Sequence, residues 1–295
     1  MSNLKISRAE RLDQRVVALM PLLSRSFATK LISDGKVSVN GAVTTKGGTK
    51  LRQDDEVTID YDHDEFVIPD IELPVLYEDD DCVVIIKPVG LLTHSKGAFN
   101  PEASVGTWLH NRIEDKTLIE VDEHQPNARA GIVHRLDRAT SGVMIAAKTA
   151  TALSKLQKQF SQRKAHKAYT AIVSGHLENP EAVIDMPIER NPKAPATFRV
   201  GANGKPSITN YQVARETPHF SLVKLQPETG RTHQLRVHLV QLKHPIVGDT
   251  LYSGLPAERM FLHATSLEIT LPSGERRTFE APLPAAFKEF LDADD

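Results

Sequence analysis

The sequence predicts an α+β fold, with a large domain built on a mixed, mainly antiparallel sheet and flanking helices, preceded by a small α/β domain. Short apolar runs outnumber helical patterns, and the two do not alternate regularly along the chain, which argues against a parallel α/β fold. The 295 residues suffice for one large and one small domain. We expect these domains at residues 1–62 and 73–295, joined by an acidic linker at 63–72.

The small domain is predicted to begin with two short helices and to continue into a hairpin. Leu12 and Val16 recur at helical spacing, and a second helical pattern ends where Gly35 supplies a C-terminal stop. Asn40-Gly41 follows two valines that alternate with polar residues, a pattern typical of a tight two-residue hairpin turn. Residues 56–59 alternate in the same way and predict a further strand.

Basic side chains recur along these predicted helices and strands. Charge alone is equally consistent with a solvated face. The stretch SRSFATKLISDGKVSVNG, however, resembles the small RNA-binding module named after ribosomal small-subunit protein four. The resemblance implies an RNA-contacting surface that includes Arg11, Ser24, Arg25, Lys30 and Lys36.

The large domain is predicted from apolar runs of strand length and from amphipathic segments of helical period. Strands are expected at residues 82–86, 132–133, 143–147, 169–173, 208–213, 220–225 and 267–271. Helices are expected at residues 151–162, 235–242 and 287–291.

One charged stretch, HRLDRATSG at residues 134–142, lies between two of the predicted strands. It places Asp137 between two arginines and follows them with a tight Thr-Ser-Gly turn, in which Gly142 supplies permissive dihedrals. Exposed clusters of arginine and aspartate are usually solvated surface. The apolar flanks here predict instead that the cluster lies between two buried segments.

Composition narrows the function classes. The net charge of −2 does not indicate a nucleic-acid partner, so evidence for such a partner must come from local patches of basic residues. The single cysteine, Cys82, excludes a disulfide framework and a thiolate metal site, which fits a reducing cytoplasm. The sequence lacks a signal-peptide pattern and an apolar run long enough to span a membrane. We expect a cytoplasmic monomer.

Together with HRLDRATSG, five further stretches resemble the RluA-type family of RNA pseudouridine synthases, in the RluC/RluD-like branch that carries an N-terminal RNA-binding module. The stretches are IIKPVGLLTH, KAHKAYTAIVSG, LQPETGRTHQLRVHL, HPIVGDTLY and FLHATSLEI. The resemblance covers nearly the whole large domain, and the stretches occur in the family's order. The resemblance implies isomerisation of uridine in structured RNA, most often large-subunit ribosomal RNA, without a cofactor or a metal.

The resemblance also implies roles for particular residues. Asp137 would attack the ribose anomeric carbon or act there as a base, and both routes need the carboxylate ionised. Arg236 would be its cationic partner, with Arg231 as the second choice. Tyr169 would stack on uracil and move protons, and Arg135 would hold the flipped-out uridine. Lys87 is expected to line the RNA path.

Three other functions are compatible with parts of this pattern. Transfer RNA is the alternative substrate. A non-catalytic RNA-binding ribosome-assembly factor would share the two-domain layout, although it would be expected to have lost part of the Asp, Tyr and Arg set. A metal hydrolase is suggested only by the twelve histidines, which match no recognised ligand spacing.

Overall fold

The computed structural model describes residues 10–20, 25–61, 69–94, 102–110, 112–115, 118 and 131–295. Contacts divide the chain into two compact units, Met1–Ile71 with His94–Ala130 and Glu72–Thr93 with Gly131–Asp295. Residues 63–68 of the expected linker and Ser24 lie outside the described ranges. The domain boundaries at residues 62 and 73 stay predictions.

The first unit contains the two helices and the hairpin expected from the sequence, together with a third helix that was not predicted. Its helices are α1 (Leu12–Leu19), α2 (Arg25–Ser33) and α3 (Val105–His110). Its strands are β1 (Glu10–Arg11), β2 (Val37–Val39), β3 (Ala42–Val43), β4 (Lys50–Leu51) and β5 (Val57–Ile59). Strand β2 pairs with β3 and β5, and β1 pairs with β4, all antiparallel.

Two local signals in this unit produce the conformations that their residue types favour. After α2, Gly35 has φ +76°, and the N–H of Lys36 donates to the carbonyl of Leu31 at 2.9 Å, the bond of a Schellman ending. Asn40 and Gly41 both have positive φ, +51° and +80°, as a type I′ hairpin requires. The apolar faces of α1 and α2 pack on this sheet, where Leu12, Val16 and Ile32 are fully buried.

The second unit is built on a nine-stranded sheet. Its main path runs β10-β13-β14-β9-β15-β8-β7-β6, and β16 pairs with β15. Every pairing is antiparallel except that of β15 with β8, which confirms the mixed, mainly antiparallel prediction. Strands β11 and β12 form a separate hairpin. The strands are β6 (Val75–Glu78), β7 (Cys82–Lys87), β8 (Ser141–Ala147), β9 (His166–Ser174), β10 (Glu181–Asp185), β11 (Ile188–Arg190), β12 (Phe198–Val200), β13 (Ile208–Glu216), β14 (Phe220–Pro227), β15 (Leu262–Thr270) and β16 (Arg276–Glu280).

Three helices cover this sheet, namely α4 (Ala150–Ser161), α5 (Gln234–Gln241) and α6 (Ala285–Asp292). Leu239 of α5 belongs to the same buried cluster as Ala171 of β9, and Phe287 of α6 to the same cluster as Ile172. Because successive residues of a strand point to opposite faces, α5 and α6 lie on opposite sides of β9. A 3-10 turn, Thr250–Tyr252, follows the loop after α5.

The parallel pairing of β8 and β15 depends on Gly142. Gly142 lies opposite Ala264 with φ +122°, a conformation that few residues other than glycine adopt. A Cβ placed on Gly142 would come within 2.2 Å of the Ala264 carbonyl oxygen. Glycine therefore allows the strand that follows Asp137 to approach its neighbour closely.

Two expectations about the strands were incomplete. Residues 132–133 form no strand of their own, and only Ile132 makes an isolated bridge, to Ala146. Strands β1, β4, β6, β10, β11, β12 and β16 were not predicted, because each has five residues or fewer, too short a run for a clear alternation of buried and exposed positions.

Candidate active site

The HRLDRATSG stretch forms the loop that enters β8, and His134 attaches its beginning to that strand. The ring of His134 stacks on Phe160 with centroids 4.5 Å apart, and its Nε2 accepts the N–H of Ile145 at 3.1 Å. Burial lowers the pKa of His134 to about 3, so the ring is neutral and can accept this bond. Further along, the N–H of Thr140 donates to the carbonyl of Asp137 at 3.0 Å and closes a turn over residues 137–140. The expected Thr-Ser-Gly turn is therefore wrong, because Ser141 and Gly142 already belong to β8.

The backbone on both sides of Asp137 is held by the segment that follows β7. Thr93 Oγ1 donates to the carbonyl of Leu136 at 2.7 Å and accepts its N–H at 3.2 Å. The carbonyl of Arg138 accepts from Gly90 N–H at 2.9 Å and from Lys87 Nζ at 3.2 Å. Asp137 therefore projects from a loop whose neighbouring peptide groups are already bonded.

Lys87 corrects one prediction. Its side chain is fully buried, and Nζ also donates to the carbonyls of Pro88 at 2.9 Å and Leu91 at 2.7 Å. Burial lowers the pKa of Lys87 to about 7, partly offset by the nearby charge of Asp137. A side chain with no exposed surface does not bind RNA, so the expected place of Lys87 on the RNA path is wrong. The IIKPVGLLTH stretch instead supports the loop that carries Asp137.

Arg236, on the buried face of α5, contacts two carboxylates. Its Nη1 donates to Asp137 Oδ2 at 3.1 Å. Its Nε and Nη2 donate to the two oxygens of Asp249 at 2.7 Å each. The planar guanidinium of Arg236 therefore makes its two-pronged contact with Asp249, whose side chain is 1% exposed, and Asp137 receives a single bond.

The side chains of Tyr252 and His233 lie beside the pair formed by Arg236 and Asp137. The guanidinium of Arg236 lies 4.9 Å above the ring of Tyr252, whose hydroxyl accepts the N–H of Phe198 at 2.9 Å and bonds His233 Nδ1 at 2.8 Å. His233 Nε2 is 3.7 Å from Asp137 Oδ2. Burial lowers the pKa of His233, opposed by the charge of Asp137.

Sequence reasoning missed Asp249, Tyr252 and His233, although all three lie within stretches that carried the resemblance. The structure rather than the sequence singles out His233, which takes the left-handed conformation, φ +56°, directly before α5. Such a conformation is uncommon for a residue other than glycine and points to a constrained site. Asp249 had no comparable local signal.

Asp137 lies in the wall of a cavity of about 630 Å³, within the size range of ligand pockets. Tyr169 of β9 also lines this cavity, and burial together with the charge of Asp137 raises its pKa, so the phenol stays protonated. Arg135 and Arg231 line it as well, and Arg135 is exposed. Arg231 Nε donates to the carbonyl of Pro206 at 3.2 Å, and Arg236 rather than Arg231 contacts Asp137.

The predicted RNA-contacting residues of the first unit are partly exposed and paired with carboxylates. Arg11 and Arg25 both donate to Asp13, a buried carboxylate whose pKa their hydrogen bonds lower. Lys30 pairs with Asp34 at 2.6 Å, and Lys36 pairs with Asp60 at 3.2 Å. Exposed pairs of this kind are weak, so the ammonium groups stay accessible to other anions.

Two classes of feature are absent from the described ranges. Within them, no group of three or more histidine, cysteine, aspartate or glutamate side chains is arranged to hold a metal ion. No helix there has both the length and the apolar character that crossing a membrane requires.

Comparison with known proteins identifies relatives of both units. Residues 81–241 match the family model for RNA pseudouridylate synthase, and residues 10–57 match the S4 domain. The chain is 37% identical over 295 residues to the protein of Vibrio parahaemolyticus named ribosomal large subunit pseudouridine synthase D, with 93% of this chain and 88% of the relative covered. It is 35% identical over 303 residues to the Escherichia coli protein of that name, with 96% and 90% covered.

Solved structures agree with these relatives. The structure of human RNA pseudouridylate synthase domain containing 1 matches with a TM-score of 0.59 at 30% identity, covering 76% of this chain and 86% of that one. Human RNA pseudouridylate synthase domain containing 4 matches with a TM-score of 0.58 at 28% identity, covering 74% and 92%. The chain thus belongs to the RNA pseudouridylate synthase family and carries an S4 domain ahead of its synthase domain.

Proposed function

We propose that this protein converts uridine to pseudouridine in large-subunit ribosomal RNA, with Asp137 as the catalytic carboxylate. One observation carries the proposal. Asp137 lies in the wall of a cavity of about 630 Å³ and is bonded by a cation that a second, buried carboxylate orients. Both of its close polar contacts use Oδ2, and within the described residues Oδ1 has no hydrogen-bond partner. An ionised carboxylate with one unengaged oxygen suits attack on a sugar carbon or removal of a sugar proton.

The reaction needs no group from outside the chain. The bond between C1′ and N1 of the nucleoside breaks, the uracil turns, and a bond forms between C1′ and C5. A proton leaves C5 and another is gained at N1, so no atoms are added and nothing is oxidised. Asp137 serves the C1′ side of this exchange.

Two further residues have positions that suit the roles proposed for them. Tyr169 lines the cavity as a neutral phenol that can stack on uracil and donate a hydrogen bond. Arg135 is an exposed cation two residues before Asp137 and would fill the space left by the displaced uridine, which must leave its helix before its glycosidic bond can be reached.

The substrate is inferred from the relatives, since the proteins of Vibrio parahaemolyticus and Escherichia coli are named for the ribosomal large subunit. The S4 domain supports RNA as the partner. We propose that Arg11, Arg25, Lys30 and Lys36 contact RNA phosphates, and that the enzyme acts as a monomer in the cytoplasm.

The test uses unmodified transcripts of large-subunit ribosomal RNA and of transfer RNA, labelled with tritium at C5 of uridine. Wild-type protein is expected to release tritium from the ribosomal transcript, whereas Asp137→Asn, a substitution of equal shape, binds the transcript and releases none. Release from transfer RNA alone would contradict ribosomal RNA as the substrate. No release from either RNA would indicate a protein that binds RNA without modifying it. Turnover by Asp137→Asn close to that of wild type would contradict the role of Asp137.

A further inference from the structure

Lys167 lines the same cavity as Asp137 and Tyr169. It lies on β9 two residues before Tyr169, so the two side chains leave the same face of the strand. Its Nζ lies 3.8 Å from the point that a Cβ on Gly230 would occupy, and Gly230 also lines the cavity. The ammonium group is therefore at the cavity wall.

This ammonium has no counterion in the described part of the chain. Its side chain is partly buried, burial lowers the pKa of Lys167, and no hydrogen bond or ion pair to its Nζ is found among the described residues. A partly desolvated cation without a partner is costly to keep in a folded protein. An anion bound in the cavity would offset the unfavourable desolvation of the Lys167 ammonium.

The other cations near the reacting site differ in this respect. All three bonding nitrogens of Arg236 are engaged, by Asp249 and Asp137. Lys87 is surrounded by three backbone carbonyls. Arg135 is exposed to solvent. Lys167 is the cation of the cavity wall that combines partial burial with a lack of partners among these residues.

The proposed reaction generates an anion inside the cavity. When the bond between C1′ and N1 breaks, its electron pair leaves with the uracil, and the charge spreads over the ring to the carbonyl oxygens O2 and O4. This holds whether Asp137 adds to C1′ or removes a sugar proton. A donor placed in advance beside such an oxygen lowers the barrier to its departure.

We propose that Lys167 is a catalytic residue that donates a hydrogen bond to a carbonyl oxygen of the departing uracil and stabilises its negative charge. The proposal rests on the proposed function, because it assigns Lys167 to the uracil side of the same isomerisation. Asp137 then acts on the ribose, and Lys167 acts on the uracil. When C5 bonds to C1′ and loses its proton, N1 takes up a proton, the charge disappears and Lys167 releases the product.

The test measures single-turnover rate constants and dissociation constants on the ribosomal transcript that wild-type enzyme modifies. Lys167→Met keeps the length of the side chain and removes its charge, and it is expected to lower the rate constant at saturating enzyme by about 10²–10³. The dissociation constant should change little. Lys167→Arg should recover much of the loss, because it restores a cationic donor. Lys224→Met is the control, since Lys224 is exposed on the neighbouring strand β14 and does not line the cavity.

A substituted substrate separates this role from packing. With 5-fluorouridine at the target position, the fluorine itself stabilises the uracil anion, so cleavage of the glycosidic bond should depend less on Lys167. The ratio of wild-type to Lys167→Met rates should therefore shrink when disappearance of the target nucleoside is measured. A purely structural defect would leave that ratio unchanged and would overturn the proposal.

Two other outcomes would also overturn it. A Lys167→Met enzyme that reacts at the wild-type rate would remove Lys167 from the mechanism, and one that loses only affinity would make it a phosphate contact. In each case an active wild-type enzyme would leave the proposed function standing. Wild-type protein without activity on any transcript would instead remove the proposed function.

Discussion

Arg236 gives its paired N–H groups to Asp249, at 2.7 Å each, and a single N–H to Asp137, at 3.1 Å. The carboxylate that anchors the arginine is therefore not the one proposed to react. Asp249 is buried and fixes the plane of the guanidinium, and the ring of Tyr252 supports that plane from one side. One N–H of the third nitrogen, Nη1, points at Asp137, whose Oδ1 has no hydrogen-bond partner among the described residues and can face the substrate.

This relationship predicts that Asp249 matters nearly as much as Arg236. Asp249→Asn removes one charge of a buried pair and should lower the free energy of unfolding by about 3–5 kcal/mol. It should also slow isomerisation, because the guanidinium loses its orientation. Urea denaturation and single-turnover rates check both effects. Asp185→Asn, at an exposed position of β10, is the control. Wild-type stability and rate in Asp249→Asn would show that the anchor is dispensable.

Substitutions of Arg236 should separate charge from geometry. Lysine keeps the positive charge but loses the planar group that reaches two carboxylates at once, so Arg236→Lys should retain a fraction of the activity. Arg236→Ala leaves two carboxylates without their cation and should be inactive and less stable by about 3–5 kcal/mol. Turnover and melting temperature distinguish the two variants, and Arg276→Lys on exposed β16 controls for a general effect of the exchange. Equal activity of both variants would refute the geometric argument.

Stability should fall as the pH drops below about 6.5. Burial lowers the pKa of His134 to about 3 and that of His263 to about 4, whereas an unfolded chain titrates near the ordinary value of 6.5. Between these values the unfolded state binds more protons, so each histidine contributes a loss of about 1.4 kcal/mol per pH unit. Urea denaturation between pH 7.5 and pH 5 measures the slope.

A variant tests the source of this slope. His134→Asn keeps an oxygen that can accept the Ile145 N–H and removes the titrating group, so its stability should depend less steeply on pH. His166→Asn, which changes an exposed histidine, should keep the wild-type slope. If the stability of His134→Asn depended on pH as steeply as that of wild type, the neutral ring of His134 would not be the cause of the slope.

The proposed RNA face of the S4 domain predicts a salt effect. Lys30 and Lys36 pair with exposed carboxylates, and such pairs are weak enough for a phosphate to replace them. In Lys30→Gln/Lys36→Gln, the slope of log Kd against log salt should fall by about one per lost contact. The single-turnover rate at saturating enzyme should not change. Filter binding at several salt concentrations measures the slope, with Lys288→Gln on α6 as the control, and an unchanged slope would remove both residues from the interface.

Local structure was largely determined by the sequence alone. Gly35 ends α2, and Asn40-Gly41 turns the hairpin. Each of these outcomes depends on the dihedral preferences of one or two residues, which are independent of the rest of the chain. The mainly antiparallel sheet followed from the order and spacing of apolar runs, because periodicity reports which face of an element is buried.

The contacts of the candidate site were decided only by the tertiary structure. Asp137 and Arg236 are 99 residues apart, and the sequence paired them through family resemblance without showing that Asp249 takes the two-pronged contact. The same applies to Lys87, which looks like an RNA-binding cation in the sequence and is buried among carbonyls, and to Lys167, which lines the cavity. The solvent exposure and the bonding partner of a side chain depend on segments that the fold brings together from distant parts of the chain, so local residue patterns do not contain them.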